Sequence, residues 1–451
     1  MIKLKNFLIE DNVKINFAIS QIEKNGRGIV YVQNLKDKKI VGSITDGDVR
    51  RALLKGVKIH EKISKCYNRN FIYIDNKNNK EHVLKLLDQK ISIIPVLNNS
   101  KKLIDLIDRN YNITKIKKKI IRARSPARIS LAGGGTDVTK YFFKKGGSSI
   151  SFTINKYCNV SLIKREDKKI IINSIDFKKK LIYENIESLS YDGNLDLIKA
   201  CIKLLKPDFG FEINIESDIR PGSGLGGSAA ASSSVIGVLN YVQNKKLSKY
   251  EISELAFQAE RIELGITGGW QDQYSTVFGG CNLMEFERNF NLVHNLSLPG
   301  NVLDELERRF VICDTGLPHK GEAMQINNYV SSRNKDYGKK IKSLVFEIKS
   351  QLIRGKSDNI GELIQKTWEL KKRLNKNMTN NAIQKLENIL YKSKLASGCR
   401  LLGTGGGGHM LFFVKPQNWF SFLNKIKKLR INYFLVKFDN SGLKVWEADY
   451  E

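Results

Sequence analysis

The sequence of 451 residues lacks the features that mark membrane-spanning, secreted and zinc-binding proteins. It has no stretch of 18 apolar residues, so no membrane-spanning helix is predicted. The residues from Met1 to Phe7 contain no apolar run that could act as a secretory signal. Six cysteines stand singly, at positions 66, 158, 201, 281, 313 and 399. Without C-x-x-C pairs, this spacing argues against zinc sites and disulfide frameworks and predicts a cytoplasmic protein with no membrane partner.

Several motifs of known enzyme classes are also missing. Neither H-E-x-x-H nor G-x-S-x-G occurs, and the five histidines stand alone in the sequence. The segment Gly355-Lys356-Ser357 has the end of a P-loop, but Ser350 occupies the position of the required first glycine. The sequence therefore does not predict a zinc protease, an α/β-hydrolase or a P-loop nucleotide site.

Acidic residues are few, because 46 Asp and Glu stand against 76 Lys and Arg and leave a formal net charge of +30. The lysines are dispersed in short runs, such as Lys117–Lys119 and Lys178–Lys180, without a basic stripe interleaved with aromatics. We therefore expect a solvated basic surface that attracts phosphorylated substrates, and no nucleic-acid partner. A hydrophobic content of 41% supplies cores for two or three domains.

The most informative segment is a glycine-rich loop that leads into a run of small residues, Pro221 to Ser232 (PGSGLGGSAAAS). Exposed backbone amides of such a loop, together with the positive end of the following helix, form a cradle for phosphate groups. A Rossmann dinucleotide site would need an acidic residue at the end of a second strand, whereas Gln243-Asn244-Lys245-Lys246 follows here. The predicted nucleotide-phosphate loop consists of Pro221, Gly222, Ser223, Gly224, Leu225, Gly226, Gly227 and Ser228.

Two further glycine clusters lie at Ser125–Asp137 (SPARISLAGGGTD) and at Leu402–His409 (LGTGGGGH). Three loops in this order resemble the three motifs of the GHMP kinases, a superfamily of small-molecule kinases, over roughly residues 121–451. The resemblance implies an α+β fold with a ribosomal S5-like domain, 121–300, and a ferredoxin-like domain, 301–451. It also implies ATP and Mg²⁺ as cofactors.

A fourth segment narrows the resemblance. Gly265–Tyr274 (GITGGWQDQY), Phe278–Phe286 and Thr367–Lys372 are similar to the D-glycero-D-manno-heptose 7-phosphate kinases. The L-fucose kinases share the G-G-W-Q-D-Q core and are the alternative. Galactokinases fit less well, since they carry a Glu-His pair where this chain has Gly134 and Gly135. The resemblance implies phosphorylation of an anomeric hydroxyl, in the synthesis of nucleotide-activated heptose for a bacterial surface polysaccharide.

By resemblance, Asp272 takes the proton of the acceptor hydroxyl, and Arg128 faces it and would keep it ionised. Asp272 is expected in a glycine-flanked loop, free of helix packing. Ser228 and Glu260 match the metal-contacting positions. Residues 249–264 are predicted to form a helix with Glu260 at the edge of its apolar face. The alternatives are a helix cap for Ser228 and a salt bridge to Arg261 for Glu260.

The substrate is expected to contact the end of the first motif, Gly134, Gly135, Thr136 and Asp137. The third motif, with Gly405, Gly406 and Gly407, would close over the phosphates. A 7-phosphate needs cationic groups away from the ATP, for which Lys371 is the first candidate and Lys320 the second. Related kinases carry an arginine soon after a Thr-Gly pair, whereas Leu317-Pro318-His319-Lys320 follows Thr315-Gly316 here.

Residues 1–112 form a separate predicted unit, joined by a basic linker, 113–120. An approximate repeat of about 55 residues with alternating strands and helices resembles a pair of CBS modules. Gly42–Asp48 (GSITDGD) matches the CBS ribose-contact pattern with Thr45 and Asp48, whereas the second copy, Asp105–Tyr111, has lost the glycine, the hydroxyl and the final carboxylate. We expect at most one site for AMP or ATP, with a scaffold or homodimerising role as the alternative. A nucleotide-sensing protein with an inactive kinase half would not need Asp272, Glu260 and Ser228 together.

Overall fold

A computed structural model divides the chain into two compact units, Met1–Lys117 and Lys118–Glu451. It describes residues 4–75, 80–89, 91–108, 118–317, 337–374 and 376–450. Most of the predicted linker, 113–117, lies outside the described residues, and residues 118–120 already belong to a strand.

Unit 1 (Met1–Lys117) is built from short strands and three described helices. The strands are β1 (Leu8–Glu10), β2 (Ile29–Gln33), β3 (Ile40–Thr45), β4 (Ile74–Asp75), β5 (Ile93–Leu97) and β6 (Leu103–Asp108). The helices are α1 (Ile15–Asn25), α2 (Asp46–Leu54) and α3 (Lys80–Asp88). Helix α1 ends at Gly26 in the left-handed conformation, and α2 begins at a capping box formed by Thr45 and Asp48.

The two sheets of unit 1 repeat one topology. In the first sheet β2 pairs parallel with β1 and antiparallel with β3, and in the second β5 pairs parallel with β4 and antiparallel with β6. A shared apolar cluster includes Tyr31 of the first sheet and Ile93 of the second, and the Tyr31 hydroxyl donates to the Ile93 carbonyl. The described residues thus contain two copies of a β-α-β-β element packed on each other. Its assignment as a CBS pair stays a prediction.

Unit 2 (Lys118–Glu451) contains an eight-stranded sheet and a four-stranded sheet among its described residues. The larger sheet consists of β7 (Lys118–Ala132), β8 (Gly147–Lys164), β9 (Ile170–Ser174), β10 (Lys179–Tyr183), β11 (Phe211–Ser217), β12 (Cys281–Phe286), β13 (Asn291–Asn295) and β18 (Lys444–Tyr450). The smaller sheet consists of β14 (Phe310–Asp314), β15 (Gly398–Leu401), β16 (His409–Phe413) and β17 (Tyr433–Leu435), in the order β15-β16-β14-β17.

The described helices of unit 2 surround these sheets. They are α4 (Thr139–Lys145), α5 (Asp196–Leu205), α6 (Gly227–Gln243), α7 (Lys249–Phe257), α8 (Gln271–Phe278), α9 (Gly300–Arg309), α10 (Tyr337–Ile353), α11 (Ile360–Leu374), α12 (Asn381–Glu387) and α13 (Trp419–Lys428). Helix α6 packs on β7 and β8, and most of its residues from Ala229 to Leu239 are buried. Helix α10 packs on β8 and on α11, while α11 packs on β15. These contacts join the two halves of unit 2.

Unit 2 differs from the predictions in the helix 249–264 and in the separation of its two predicted domains. Strand β8 runs from Gly147 to Lys164 without a break and pairs with β7 along most of its length. The helix predicted for 249–264 ends at Phe257 and continues as a π-helix, Gln258–Glu263. A capping box formed by Ser248 and Glu251 begins this helix. Strand β18, from the predicted second domain, pairs antiparallel with β7 and thereby covers an edge of the larger sheet.

The six cysteines are free thiols, and all but Cys66 are buried, as the absence of paired cysteines predicts. Within the described residues, no helix is long and apolar enough to cross a membrane.

A close contact between α11 and β15 yields a first prediction. A Cβ atom at Gly398 would overlap the backbone carbonyl of Gly361, which cannot rotate away. We expect Gly398→Ala to destabilise the fold by about 1–3 kcal/mol, through the strain that forcing additional atoms into a packed core creates. Calorimetric melting of the full chain should show a lower Tm for the transition of unit 2.

The matched control is Gly300→Ala at the start of α9, where a Cβ atom would meet no atom within 4 Å. This variant should melt within about 0.5 kcal/mol of the parent, as surface substitutions do. Equal Tm values for the two variants would show that the contact between α11 and β15 is not tight.

Candidate functional site

One cleft of about 610 Å³ in unit 2 brings together residues of all four sequence segments that resemble known kinases. The first motif contributes Arg128, Gly134, Gly135 and Asp137 to its lining. The glycine loop from Pro221 to Ser228, the segment around Asp272 and the start of the third motif, Gly403 and Thr404, complete the walls. Segments more than a hundred residues apart in sequence therefore meet around one cavity.

The glycine loop lies directly before the N-terminus of α6, so its amides and the helix dipole act at the same place. Gly222, Gly224 and Gly226 have φ values of 71°, 77° and 81°, in the left-handed region that glycine adopts without strain. A Cβ atom at Gly224 would also lie 2.5 Å from the Leu402 carbonyl oxygen. Both the turn and the close approach of the third motif therefore require glycine here.

The third motif is fixed against the glycine loop. The His409 backbone N–H donates to the Ser223 carbonyl at 3.1 Å, and a Cβ atom at Gly408 would lie 2.6 Å from the same oxygen. Gly403 and Thr404 line the cleft, whereas the predicted contacts Gly405, Gly406 and Gly407 do not. The backbone N–H of Gly406 donates to the Met378 carbonyl, and this part of the loop is held by the segment 376–380.

An ion pair between Arg128 and Asp272 lies at the centre of the cleft. The Arg128 Nε donates to Asp272 Oδ1 at 2.7 Å, and Nη2 donates to Oδ2 at 2.6 Å. The Arg128 Nη1 donates to the Gly224 carbonyl at 2.6 Å. Because one guanidinium contacts both the carboxylate and the glycine loop, it sets the position of Asp272 relative to the predicted phosphate cradle.

The predicted loop location of Asp272 is wrong. Asp272 lies in the first turn of α8, whose residues Gln271, Gln273 and Tyr274 are buried. The glycines before it end at Gly269, and the helix begins directly afterwards. Helix packing thus holds the backbone of Asp272, while 27% of its side chain stays exposed to the cleft. Aspartate in a first helical turn also interacts favourably with the helix dipole.

Asp137 is buried at the same wall of the cleft. Its Oδ1 accepts the Gly135 N–H at 2.8 Å, and its Oδ2 accepts the Gln271 N–H at 3.3 Å. A Cβ atom at Gly269 would overlap this carboxylate, so the glycine directly before Trp270 makes room for Asp137. Burial raises the pKa of Asp137, and the nearby charge of Asp272 acts in the same direction.

Thr136 does not line the cleft, contrary to the predicted sugar contact. The residue is fully buried, and its hydroxyl donates to the carbonyls of Gly133 or Ser148, at 2.8 Å from each. The hydroxyl is occupied by main-chain partners because the loop folds back onto β8. Thr136 therefore stabilises the backbone of the first motif through these hydrogen bonds.

Ser228 and Glu260 lie next to each other. Burial raises the pKa of Glu260, while the Arg261 charge and a hydrogen bond from the Ser228 hydroxyl lower it. Glu260 also accepts from Gln273 at 2.8 Å and forms the alternative salt bridge to Arg261, at 3.3 Å. The π-helix places Glu260 and Arg261 on the cleft wall, in keeping with the frequent occurrence of such turns at functional sites.

The donor set of this corner is a hydroxyl and a carboxylate, both oxygen ligands suited to Mg²⁺. Within the described ranges, no group of three or more His, Cys, Asp or Glu side chains could hold a metal ion. A divalent cation here would need phosphate oxygens as further ligands, and the adjacent glycine loop is placed to bring them. The residues therefore fit a nucleotide-bound cation, and the geometry does not suggest a permanent metal centre.

Lys371 lies in the last turn of α11 and is 5% exposed. Its Nζ donates to the Gly403 carbonyl at 2.7 Å. Burial and the adjacent Arg400 lower the pKa of Lys371 to about 7, whereas Asp137 and Asp272 act in the opposite direction. Lys371 is thus part of the cleft, among its charged residues. The second candidate, Lys320, lies outside the described residues.

Several residues that line the cleft were not predicted from the sequence. Arg400 is 3% exposed and donates to the Leu131 carbonyl from β15. Its position directly before the third glycine cluster is a signal that could have identified it. The Ser130 hydroxyl donates a hydrogen bond to Gln271 Oε1 at 3.2 Å and thereby connects β7 with α8. The turn between β9 and β10, with Asp176 and Phe177, lines the outer end of the cleft and carries no sequence motif.

In unit 1, the two residues of the predicted nucleotide site, Thr45 and Asp48, contact each other. The Thr45 hydroxyl donates to an Asp48 carboxylate oxygen at 2.7 Å and also caps the N–H of Asp48 at 3.2 Å. Asp48 forms a further ion pair with the exposed Arg51. Both side chains therefore lie together at the N-terminus of α2, in the turn that follows β3.

Comparison with known proteins supports the family resemblance. The model of the GHMP kinases N terminal domain matches residues 196–280, which include the glycine loop and Asp272. The D-glycero-alpha-D-manno-heptose 7-phosphate kinase of Campylobacter jejuni is 34% identical over 339 residues, covering 73% of this chain and 99% of the relative. The L-fucokinase/L-fucose-1-P guanylyltransferase of Bacteroides fragilis is 27% identical over 335 residues, covering 66% of this chain and 35% of that longer protein.

Solved structures agree with these relatives. The crystal structure of a D-glycero-D-manno-heptose 1-phosphate kinase from Bacteroides thetaiotaomicron has 27% sequence identity and a TM-score of 0.61, over 72% of this chain and 98% of that one. The expected mixed α and β kinase fold is thereby confirmed. Because 34% identity extends over almost the whole length of the Campylobacter relative, the chain belongs to the GHMP kinase family, whose members are phosphotransferases with an alcohol group as acceptor.

Proposed function

We propose that this sugar kinase transfers the γ-phosphoryl group of ATP to the anomeric hydroxyl of D-glycero-D-manno-heptose 7-phosphate, giving the 1,7-bisphosphate. The observation that carries this proposal is the Arg128–Asp272 ion pair, fixed to the glycine loop through the Gly224 carbonyl. It is supported by the heptose 7-phosphate kinase of Campylobacter, which matches the chain at 34% identity.

Asp272 receives the proton of the acceptor hydroxyl in this proposal. Each of its carboxylate oxygens accepts one hydrogen bond from Arg128 and keeps capacity for another. The bidentate pairing holds the carboxylate plane in one orientation, and a fixed acceptor orientation accounts for much of the catalysis in phosphoryl transfer. Arg128 thus positions both the base and, through Gly224, the loop.

The residues Pro221–Ser228 hold the ATP phosphates through backbone amides at the N-terminus of α6. Ser228 and Glu260 would hold Mg²⁺, which neutralises negative charge on the phosphate oxygens when bound. Arg261 lies beside Glu260 and keeps it oriented.

The sugar lies against the first motif, with Asp137 as the carboxylate that binds its hydroxyls and with Gly134 and Gly135 as the adjacent wall. Asp137 is held by two backbone N–H groups, so its orientation is fixed before substrate binds. Lys371, whose ammonium group lies close to Gly134, holds the distal phosphate. The 1,7-bisphosphate would serve in the cytoplasm for the synthesis of nucleotide-activated heptose, which a surface polysaccharide requires.

A kinase for L-fucose or a related sugar is the second candidate, since the Bacteroides fragilis relative contains an L-fucokinase at 27% identity. ADP release measured with heptose 7-phosphate, L-fucose, mannose and galactose separates the two. The highest kcat/KM is expected for heptose 7-phosphate. A higher value for L-fucose would replace the first proposal by the second.

For unit 1 we propose an adenosine-nucleotide site at Thr45 and Asp48. Two copies of one strand-helix topology and the adjacent hydroxyl and carboxylate at the start of α2 support it. A scaffold or homodimerising role is the alternative for this unit.

Asp272→Asn tests the base. The amide keeps the shape of the side chain but cannot take a proton, so kcat should fall by about 10²–10⁴-fold, the usual contribution of a general base. ATP affinity, measured by calorimetry, should stay within about twofold of the parent value, since the variant loses only one hydrogen bond to Arg128. The control is Asp304→Asn on the exposed surface of α9. Unchanged turnover of Asp272→Asn would remove Asp272 from the mechanism.

Glu260→Gln tests the cation site. We expect the Mg²⁺ concentration that gives half-maximal ATP binding to rise about tenfold, because the variant loses a charged oxygen ligand. Calorimetric titration of ATP at several Mg²⁺ concentrations gives this value without turnover. The control is Glu254→Gln, an exposed carboxylate on α7. An equal Mg²⁺ requirement in both variants would contradict the assignment.

Calorimetry with AMP and ATP on residues 1–117 tests the site of unit 1. Weak binding is expected, and Asp48→Asn should abolish it because the proposed ribose contact loses its charge. Asp46→Asn in the same helical turn serves as the control for helix stability. No heat with either nucleotide in the folded parent unit would leave unit 1 as a scaffold.

A further inference from the structure

We infer that Arg400 and Lys371 together form a subsite for the phosphate group that the acceptor sugar already carries, so that this pair selects phosphorylated sugars over neutral ones. The inference rests on the proposed function and adds to it a second cation, Arg400, and a reason for the specificity. Neither the glycine loop nor the Arg128–Asp272 pair would provide this selection.

The two cations are brought together by the contact between α11 and β15. Lys371 is in the last turn of α11, and Arg400 is in β15. Both side chains line the same cleft and are at least nine-tenths buried. The approach of the two elements at Gly361 and Gly398 is close enough to exclude a Cβ atom. The pair is therefore built into a rigid part of the fold.

Each of these side chains donates a hydrogen bond to a main-chain carbonyl. Lys371 donates to the Gly403 carbonyl, and Arg400 donates to the Leu131 carbonyl. In the part of the chain that the structure describes, Lys371 has no carboxylate within ion-pair distance. Burying an ammonium group next to a guanidinium is unfavourable, and an anion between them reverses the sign of that interaction.

Two acidic residues of the cleft already accept hydrogen bonds from the protein. Asp272 is paired with Arg128, and Asp137 accepts two backbone N–H groups. The charged groups that act on Lys371 are Arg400 from β15, Asp137 after β7, Arg128 from β7 and Asp272 from α8. Arg400 has the largest effect among these charged groups, and it lowers the pKa of Lys371.

The position of the pair favours the acceptor as the source of the phosphate. Arg400 reaches the Leu131 carbonyl, and a Cβ atom at Gly134 would lie 3.9 Å from the Lys371 ammonium. Both contacts belong to the first motif, where the sugar is proposed to bind. The ATP phosphates have their own donors at the N-terminus of α6, beside Ser228 and Glu260. We therefore assign the pair to a phosphate monoester on the sugar.

Kinetics with heptose 7-phosphate and with unphosphorylated heptose test the assignment in the full chain. Lys371→Met and Arg400→Gln should each raise KM for heptose 7-phosphate at least about tenfold, the usual loss for a hydrogen bond to a charged group. The ratio of the kcat/KM values for phosphorylated and unphosphorylated heptose should fall in both variants, and the KM for ATP should change less than the KM for heptose 7-phosphate, because the pair is assigned to the sugar phosphate. Arg400→Lys should recover part of the affinity because it restores the charge.

The control is Lys366→Met, an exposed lysine on the same helix. Thermal melting establishes whether each variant folds. If Arg400→Gln does not fold, the kinetics of Lys371→Met alone decide the test. Equal losses for phosphorylated and neutral heptose, or a loss confined to ATP, would overturn the inference. If the parent protein phosphorylates no sugar phosphate, the proposed function fails, and calorimetric binding of heptose 7-phosphate still decides whether the pair binds it.

Proton uptake gives a second readout that a merely structural lysine would not produce. Near pH 8 Lys371 is largely neutral, because its pKa is about 7. A phosphate dianion favours the protonated form, so binding should take up about one proton and the affinity should fall as pH rises above about 7. Calorimetry in two buffers of different ionisation enthalpy measures this uptake. Uptake that persists in Lys371→Met would contradict the inference.

Discussion

The ion pair between Arg128 and Asp272 connects three segments that are distant in the chain. Arg128 comes from β7, Asp272 from the first turn of α8, and the Gly224 carbonyl that completes the guanidinium's contacts belongs to the glycine loop. Because a guanidinium is planar and carries its donors in a fixed geometry, three hydrogen bonds to it fix three backbones relative to one another. In the proposed mechanism, this fixed arrangement lets the base Asp272, the glycine loop and the first motif act on one bound substrate.

Close contacts between backbones also fix the second and third motifs relative to each other. Gly224 approaches the Leu402 carbonyl, and Gly408 approaches the Ser223 carbonyl, so the second and third motifs lock together without side chains between them. Such contacts leave the cleft walls as main-chain N–H and C=O groups, which suit phosphate oxygens and sugar hydroxyls. The small residues of the motifs therefore serve assembly of the site as much as ligand approach.

Charge within the cleft is arranged in three parts. Arg128 is balanced by Asp272, and Arg261 is balanced by Glu260. The pair of Lys371 and Arg400 adds positive charge to a cleft that also holds the buried Asp137. A kinase that accepts a phosphorylated sugar needs separate places of positive charge in its cleft. The phosphate group of the sugar and the phosphate groups of ATP must stay apart while the acceptor hydroxyl approaches the ATP.

The amino-acid sequence by itself determined the glycine loop, since this loop depends on residues near one another in the chain, and it predicted the kinase fold through the order of its three motifs. It also predicted the pairing of Arg128 with Asp272, through family resemblance. It did not place Asp272 on a helix, remove Thr136 from the cleft or identify Arg400. Those features depend on which strands and helices pack together: α8 on β7, the first motif on β8, and β15 on α11. Only the tertiary structure brings such residues within hydrogen-bond distance, because the contacts join segments whose separation in sequence carries no information on their distance in space.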